Sequence, residues 1–488
     1  MMWQKYITRR LAVQVAQAWN FGWDTAMRKV YGISLRNTLV FRDSQKTEYY
    51  VNQDEYARHV KGLSGLLNCE AFLRTFHHEA KAELEKILFK LRAKLRLKFV
   101  QLSNEEFLQV YQNDILPAVA QFYARMGTVF NLGLPLSEMI TAKLRKKITD
   151  PTEFNQRLLV LFSPLEPNDA VNERLSLLTI ASQKPKLKKS EFEKRVRNHT
   201  KNYRHIPMFD FDHQPYTEAS FIKELRKIEY PSNELADLRL MFKNRRLKFN
   251  QVVRSLKPDK KFKLLLEFLK ENIFLRDYRD MIRQKLNLEL RKFYVEAGKR
   301  LGLSLAQVAT LTNEEIIKSL GENKKFSPAE AKRREQAFLL IQKSSAVEIY
   351  SGQKAVARFK KECKPYQPKV LEKIRGSLAA PGRARGPVKI VRTNQDLNKI
   401  KDGDIMVTGM TRQDFVPALR RVSALVTDEG GMICHAAIIA REFKIPCVVG
   451  AKIATLALSD GDLVDVDADR GIIRKVTKHK GPLRSKKS

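Results

Sequence analysis

Cysteine is scarce in this sequence: Cys69, Cys363, Cys434 and Cys447 are scattered through 488 residues. So few, so far apart, exclude a disulfide framework or a zinc knuckle. Long apolar runs are missing as well. No stretch approaches the roughly 18 uncharged apolar residues that a membrane-crossing helix needs. The opening MMWQKYITRRLAVQVAQAW meets charge before any apolar block of signal-peptide length. A soluble, cytoplasmic chain is therefore expected. Acidic residues are the third shortage, with 54 against 91 lysines and arginines, a net charge of +37. What is present is a hydrophobic content of 43%, enough to fold, on a length that calls for about two to four domains.

So large a positive charge invites a nucleic-acid or anionic-membrane reading. The excess is spread out, however. Residues 373–488 hold 22 Lys/Arg and 12 Asp/Glu, and half of that local excess lies in a basic tail, 478–488, with Lys478, Lys480, Arg484, Lys486 and Lys487. No recognised nucleic-acid-binding motif accompanies the charge, so nucleic acid stays a subordinate alternative and no membrane partner is expected.

Residues 1–335 read as mainly α-helical. Leu11, Val15, Trp19, Trp23 and Met27 recur every fourth residue, a core stripe in preference to an aromatic acceptor pocket. Ser103 with Glu106 and Thr312 with Glu315 fit capping boxes, and Ser327-Pro328 marks another helix entrance. A long helix runs through Phe274, Tyr278, Ile282, Leu286, Leu290 and Phe293. Arg276, Arg279 and Arg283 lie on another side of it, where they read first as a solvated basic face and second as a phosphate or acceptor contact. No metal site is expected: His77-His78-Glu79 lacks a second histidine at zinc spacing, and His205, Asp210, Asp212 and His213 match no ligand pattern. The basic stretch Lys184 to Lys201 marks a candidate subdomain boundary near 184–201.

Past residue 335 the pattern changes. Residues 336–373 combine the strand-like FLLIQKSSAVEIY with a connector, KKECKPYQPKV, whose Pro365 and Pro368 suggest an extended hinge. From 374 to 477, short apolar runs (VKIVRT, DIMVTG, ALVTDE, CVVG, LVDVDAD) alternate with Gly/Asp turns and two short helices, near Asp414–Arg421 and Cys434–Phe443. The fold class is thus α+β and multidomain, a large mainly α-helical N-terminal region followed by a compact α/β domain.

The stretch VTDEGGMICHAAIIAREFKIPCVVG carries the chemistry. A buried strand, Ala424 to Thr427, runs into a Gly430-Gly431 turn, and a helix opens at or near His435. Adjacent glycines allow backbone angles that side chains block. The small and apolar Ala436, Ala437, Ile438, Ile439 and Ala440 then let the helix pack closely on a sheet. An imidazole in a first helical turn meets free N–H groups and the positive helix end. That environment favours the neutral, nucleophilic ring and stabilises a phosphoryl group attached to it.

Gly430, Gly431, His435, Ala436, Ala437, Ile438, Ile439, Ala440 and Arg441 follow a pattern that resembles the phosphohistidine swivelling domain of the phosphoenolpyruvate-utilising family. Flanking blocks LAAPGRARGPVKIV, GDIMVTGMTRQDFVPALRR, IPCVVG and DGDLVDVDADRGIIRKV resemble it in the same order. The resemblance covers about a fifth of the chain. It implies His435 as the catalytic phosphoryl carrier, with Thr427, Gly430, Gly431, Cys434, Ala436 and Arg441 as the supporting loop. One departure stands out: Ile433 occupies the position two residues before the histidine, where the family has Thr, Ser or Asn.

In that family the swivelling domain takes phosphate from ATP on an ATP-grasp domain, or from phosphoenolpyruvate on a (β/α)₈ barrel. Neither module is read in this chain. The resemblance thus implies Mg²⁺ and ATP or phosphoenolpyruvate on a partner protein in trans, none of them bound by this chain, and an unidentified acceptor in the helical region. Helical region followed by carrier is also the order of rifampicin phosphotransferase without its ATP-grasp part, an analogy of architecture. The alternatives are a non-catalytic interaction or regulatory protein retaining the carrier fold, and a basic nucleic-acid-associated protein.

Overall fold

The computed structural model describes residues 2–8, 11–43, 47–322, 324–343, 346–363, 373–392, 394–411, 415–432 and 434–476. The hinge prolines Pro365 and Pro368, the residue Ile433 and the basic tail 478–488 lie outside the described residues. The chain divides into two units, Met1–Pro365 and Tyr366–Ser488.

The first unit is mainly helical, as its periodicity indicates, and its longest helix spans Lys260–Leu301. The expected core stripe is buried throughout, from Leu11 to Met27. A strict four-residue spacing drifts by roughly 40° per step around a helix of 3.6 residues per turn. The chain absorbs that drift with a wider π-turn, Gly22–Ala26, between helical segments Val13–Phe21 and Met27–Tyr31. Trp19 and Trp23 stack edge-on at 5.1 Å inside this core. Both capping boxes form, and Ser327 caps the helix that begins with Pro328.

Two expectations are corrected here. Residues 1–335 are not helical alone, because β1 (Trp3–Thr8), β2 (Asn37–Arg42) and β3 (Thr47–Asn52) belong to an antiparallel sheet. Its other members, β4 (Phe338–Lys343) and β5 (Ala346–Ser351), are the strand-like segment assigned beside the connector, and the sheet order is β1-β3-β2-β4-β5. Residues 338–351 therefore belong to the first unit, and the start of the expected connector is the end of a helix, Gly352–Glu362. The stretch from Lys184 to Lys201 is no linker either, since Lys189–Tyr203 forms a helix whose Val196 packs with Leu177, Ile180, Phe221 and Leu225.

The second unit is built on an eight-stranded sheet in the order β6-β13-β12-β8-β9-β10-β11-β7. Its strands are β6 (Lys373–Arg375), β7 (Ser377–Ala380), β8 (Arg383–Val391), β9 (Ile405–Thr408), β10 (Ala424–Thr427), β11 (Cys447–Val449), β12 (Leu463–Asp467) and β13 (Ile472–Lys475). β8, β9, β10 and β11 run parallel. Parallel strands are covered on both faces, so they read as continuous apolar runs. Accordingly Ile405–Thr408, Ala424–Thr427 and Cys447–Val449 are buried at every position. Leu425 faces a core shared with Ala436, Ala437, Ile439 and Ala440, and Ala424 and Val426 face the opposite one.

Candidate functional site

The segment from Thr427 to Phe443 leaves the carboxyl end of β10, in the middle of the parallel strands, where open α/β sheets place their ligand sites. Several residues of the turn are held by local bonds. The Thr427 hydroxyl donates to the carbonyl of Glu429 at 2.6 Å, which bends the chain as it leaves the sheet. The N–H groups of Asp428 and Glu429 reach back to the carbonyls of Thr408 and Gly409, both at 3.0 Å. Asp428 is buried, and its carboxylate accepts from the N–H and hydroxyl of Thr455.

Gly430 has φ +102°, and a Cβ there would meet Cys434 Sγ at 2.7 Å. Both facts require glycine. Gly431 is under no such constraint, with open space where its Cβ would stand. Its carbonyl accepts from the Cys434 N–H at 2.9 Å.

Cys434 is the N-cap of the helix His435–Phe443, its sulfur accepting from the Ala437 N–H at 3.4 Å. His435 is thus the first helical residue. Its ring lies outside the described part of the structure. Ala436, Ala437 and Ala440 are buried, so the helix lies close on the sheet. Arg441 turns back under the turn, where Nη2 donates to Met432 O at 2.6 Å and Nε to Ala379 O at 2.7 Å. The structure therefore brings Thr427, Gly430, Gly431, Cys434, His435, Ala436 and Arg441 together in one turn and helix entrance. Burial, then the neighbouring Cys434, pushes the Cys447 thiol well above its usual range.

Sequence reasoning missed Asp428, whose signal was a carboxylate at the end of an otherwise apolar strand. It misjudged the arginines of the long helix. Arg276 is partly exposed, but Arg279 and Arg283 are only 4% and 0% exposed, so the solvated basic face is corrected to a buried one. The loop residues considered for metal are engaged within the unit: His205 bonds Asp169 at 2.7 Å, and Asp210 accepts from the N–H groups of Ala12 and Phe211. His77 is partly buried, within 3.4 Å of Asn272 Oδ1. Among the described residues no group of three or more His, Cys, Asp or Glu is placed to hold a metal ion, and no helix is long and apolar enough to cross a membrane.

Residues 400–471 match the family described as PEP-utilising enzyme, mobile domain. The second unit carries a mobile domain of the PEP-utilising enzyme family. Relatives agree. The probable phosphoenolpyruvate synthase of Archaeoglobus fulgidus is 45% identical over 124 residues, covering 24% of this chain and 16% of that protein. The phosphoenolpyruvate synthase of Pyrococcus furiosus is 34% identical over 185 residues, 37% of this chain and 22% of its own length. The chain thus spans about a fifth of these curated relatives. A crystal structure of Thermococcus kodakaraensis aconitase X aligns over 22% of the chain at 22% identity, with a TM-score of 0.18, too low to bear on fold or function.

Proposed function

We propose that this chain is a phosphotransferase component in which His435 carries a phosphoryl group between two sites. The observation that carries the reading is the position of His435 as the first residue of a helix that follows a positive-φ glycine turn, inside the matched mobile domain. In the first step an imidazole nitrogen attacks the phosphorus of a donor, ATP or phosphoenolpyruvate, on a separate ATP-grasp or phosphoenolpyruvate-binding protein. The P–O bond breaks, its electron pair leaves with ADP or enolpyruvate, and Mg²⁺ on the donor protein offsets the charge. In the second step a nucleophilic oxygen of an acceptor held by the helical unit attacks the same phosphorus, and the P–N bond breaks with the electron pair returning to the ring. The helix end favours both the neutral ring before transfer and the anion after it.

The test is incubation with labelled ATP or phosphoenolpyruvate in cell lysate, followed by assay for acid-labile, base-stable phosphate on the chain. The expected result is label on the wild-type chain and none on His435→Asn. Label that persists in His435→Asn, or none on either chain, removes the proposal. Ile433, in place of the family's hydroxyl or amide residue, favours a second reading, a non-catalytic docking module that keeps the carrier fold. The absence of label from both chains is what that reading expects.

A further inference from the structure

Arg276, Arg279 and Arg283 stand at positions i, i+3 and i+7 of the helix Lys260–Leu301, so they share one stripe. Packing covers this stripe instead of leaving it to water. The guanidinium carbons of Arg276 and Arg279 lie 5.3 and 5.2 Å from the ring of Phe130, and that of Arg283 lies 5.4 Å from Phe209. Tyr6, partly exposed, approaches Phe130 at 5.7 Å and donates its hydroxyl to Asn131 Oδ1.

The three arginines are not equally provided for. Arg279 donates to the carbonyls of Met126 at 3.0 Å and Arg276 at 3.1 Å. Arg283 is fully buried, and its Nε, Nη1 and Nη2 have no hydrogen-bond partner among the described residues. Its ionic contact there is Asp280 Oδ1, 3.3 Å from Nη2. The same carboxylate also faces Arg279 Nη2, at 3.9 Å. Asp277, the other acid on this stretch, accepts from Asn168. Burial, opposed by Asp280, brings the Arg279 guanidinium down to about 10, which marks the stripe as poorly solvated.

A guanidinium buried with its N–H groups unmet costs several kcal/mol. Aromatic faces recover part of that through cation–π attraction but accept no hydrogen bond in the plane of the fork. A planar or tetrahedral oxyanion does, since it offers two oxygens to the fork and the negative charge that Asp280 alone cannot give to two cations.

We infer that the Arg276–Arg279–Arg283 stripe is a recognition site for an oxyanion, the phosphate or carboxylate group of a small molecule entering past Tyr6, Phe130 and Arg276. That this molecule is the phosphoryl acceptor rests on the carrier reading above; the anion site itself does not. The partly exposed Arg276 and Tyr6 make the entrance, and the buried Arg283 makes the floor.

The full chain is titrated with inorganic phosphate in one arm and acetate in the other, at constant ionic strength, and followed by calorimetry and thermal shift. The expected result is saturable binding in at least one arm, which identifies the group, weakened tenfold or more in both Arg283→Gln and Arg276→Gln. The partly exposed Arg276 keeps the test alive if Arg283→Gln does not fold. Arg239→Gln, an exposed change on another helix, reports generic charge and is expected to leave binding as it is. Absence of binding in both arms overturns the site, and so does equal weakening by Arg239→Gln. His435→Asn is expected to lose the phosphoryl label and keep anion binding. A wild-type chain that binds the anion but takes no label defeats the carrier proposal alone, and one that takes label but binds no anion defeats this one alone.

Discussion

Around the Gly430-Gly431 turn the polar groups answer one another, whereas on the helix Lys260–Leu301 a buried guanidinium finds no hydrogen-bond acceptor among the described residues. In the C-terminal unit Thr427 serves Glu429, Asp428 holds Thr455, and Arg441 ties Met432 to Ala379. These bonds fix the backbone on either side of the helix entrance at His435. In the helical unit Arg283 has an aromatic ring and a shared carboxylate but, among the described residues, no acceptor in hydrogen-bonding geometry. The first arrangement is internally bonded, and the second is the one for which an anion is proposed. A site can be rigid because it is satisfied or receptive because it is not, and the carrier turn and the arginine stripe are proposed as one of each.

The comparison can be broken most severely at Gly430. An alanine there meets both a positive φ and the Cys434 sulfur at 2.7 Å, a strain of about 1–3 kcal/mol. The expected outcome for Gly430→Ala is a lower melting temperature for the C-terminal unit and strongly reduced phosphoryl labelling, while anion binding by the helical unit is unchanged. Labelling at the wild-type level shows that the turn does not fix the carrier.

Acid is the next lever, and it acts on the helical unit. Burial lowers His59 to about 4, and burial, partly offset by a hydrogen bond from the ring to Asn272 Oδ1, lowers His77 to about 4. Both rings are neutral in the folded state near neutrality. The unfolded chain takes up these protons near pH 6.5, so between about 6.5 and 4 the unfolded state binds more protons. The stabilisation is complete above that window and is lost as pH falls through it. A melting temperature for the helical unit that drops from pH 7 to pH 5, less steeply in His59→Gln, is expected; a flat profile contradicts the burial assigned to these rings.

The smallest effect belongs to the helix cap. Cys434→Ala removes the sulfur that accepts from Ala437 and is expected to cost the C-terminal unit about 0.5–1 kcal/mol. Cys434→Ser, which keeps an acceptor, is expected to fall between the two by chemical denaturation. Equal stability of all three shows that the sulfur does not cap.

How much of this was legible in the sequence follows the range of the forces involved. In the C-terminal unit the signals are local: runs such as ALVT and CVV, a glycine pair, and small residues after His435. Strand, turn and helix follow from neighbours a few residues apart. In the first unit the decisive partners are far apart. NTLVFR and TEYYVN, with a short polar link between them, carried β-branched and aromatic cues for a hairpin, but surrounding helical periodicity masked them. Charge misled at Arg279 and Arg283, because arginine predicts solvent unless something distant covers it. The rings that do so, Phe130 and Phe209, come from other parts of the chain. Spacing showed that the three arginines share a stripe and could not show what lies over it.

The five-stranded sheet has a consequence for how the chain is made. β2 pairs with β4 in the register Thr38↔Gln342, so a strand from the beginning of synthesis finds its neighbour about 300 residues later. A nascent chain leaving the ribosome presents the apolar edge of Leu39, Val40 and Phe41 until residues 338–343 emerge, and such an unpaired edge invites association with other chains. Release before that point strands the N-terminal hairpin without its cover, which makes the sheet's last two strands the gate through which the helical unit reaches its native state.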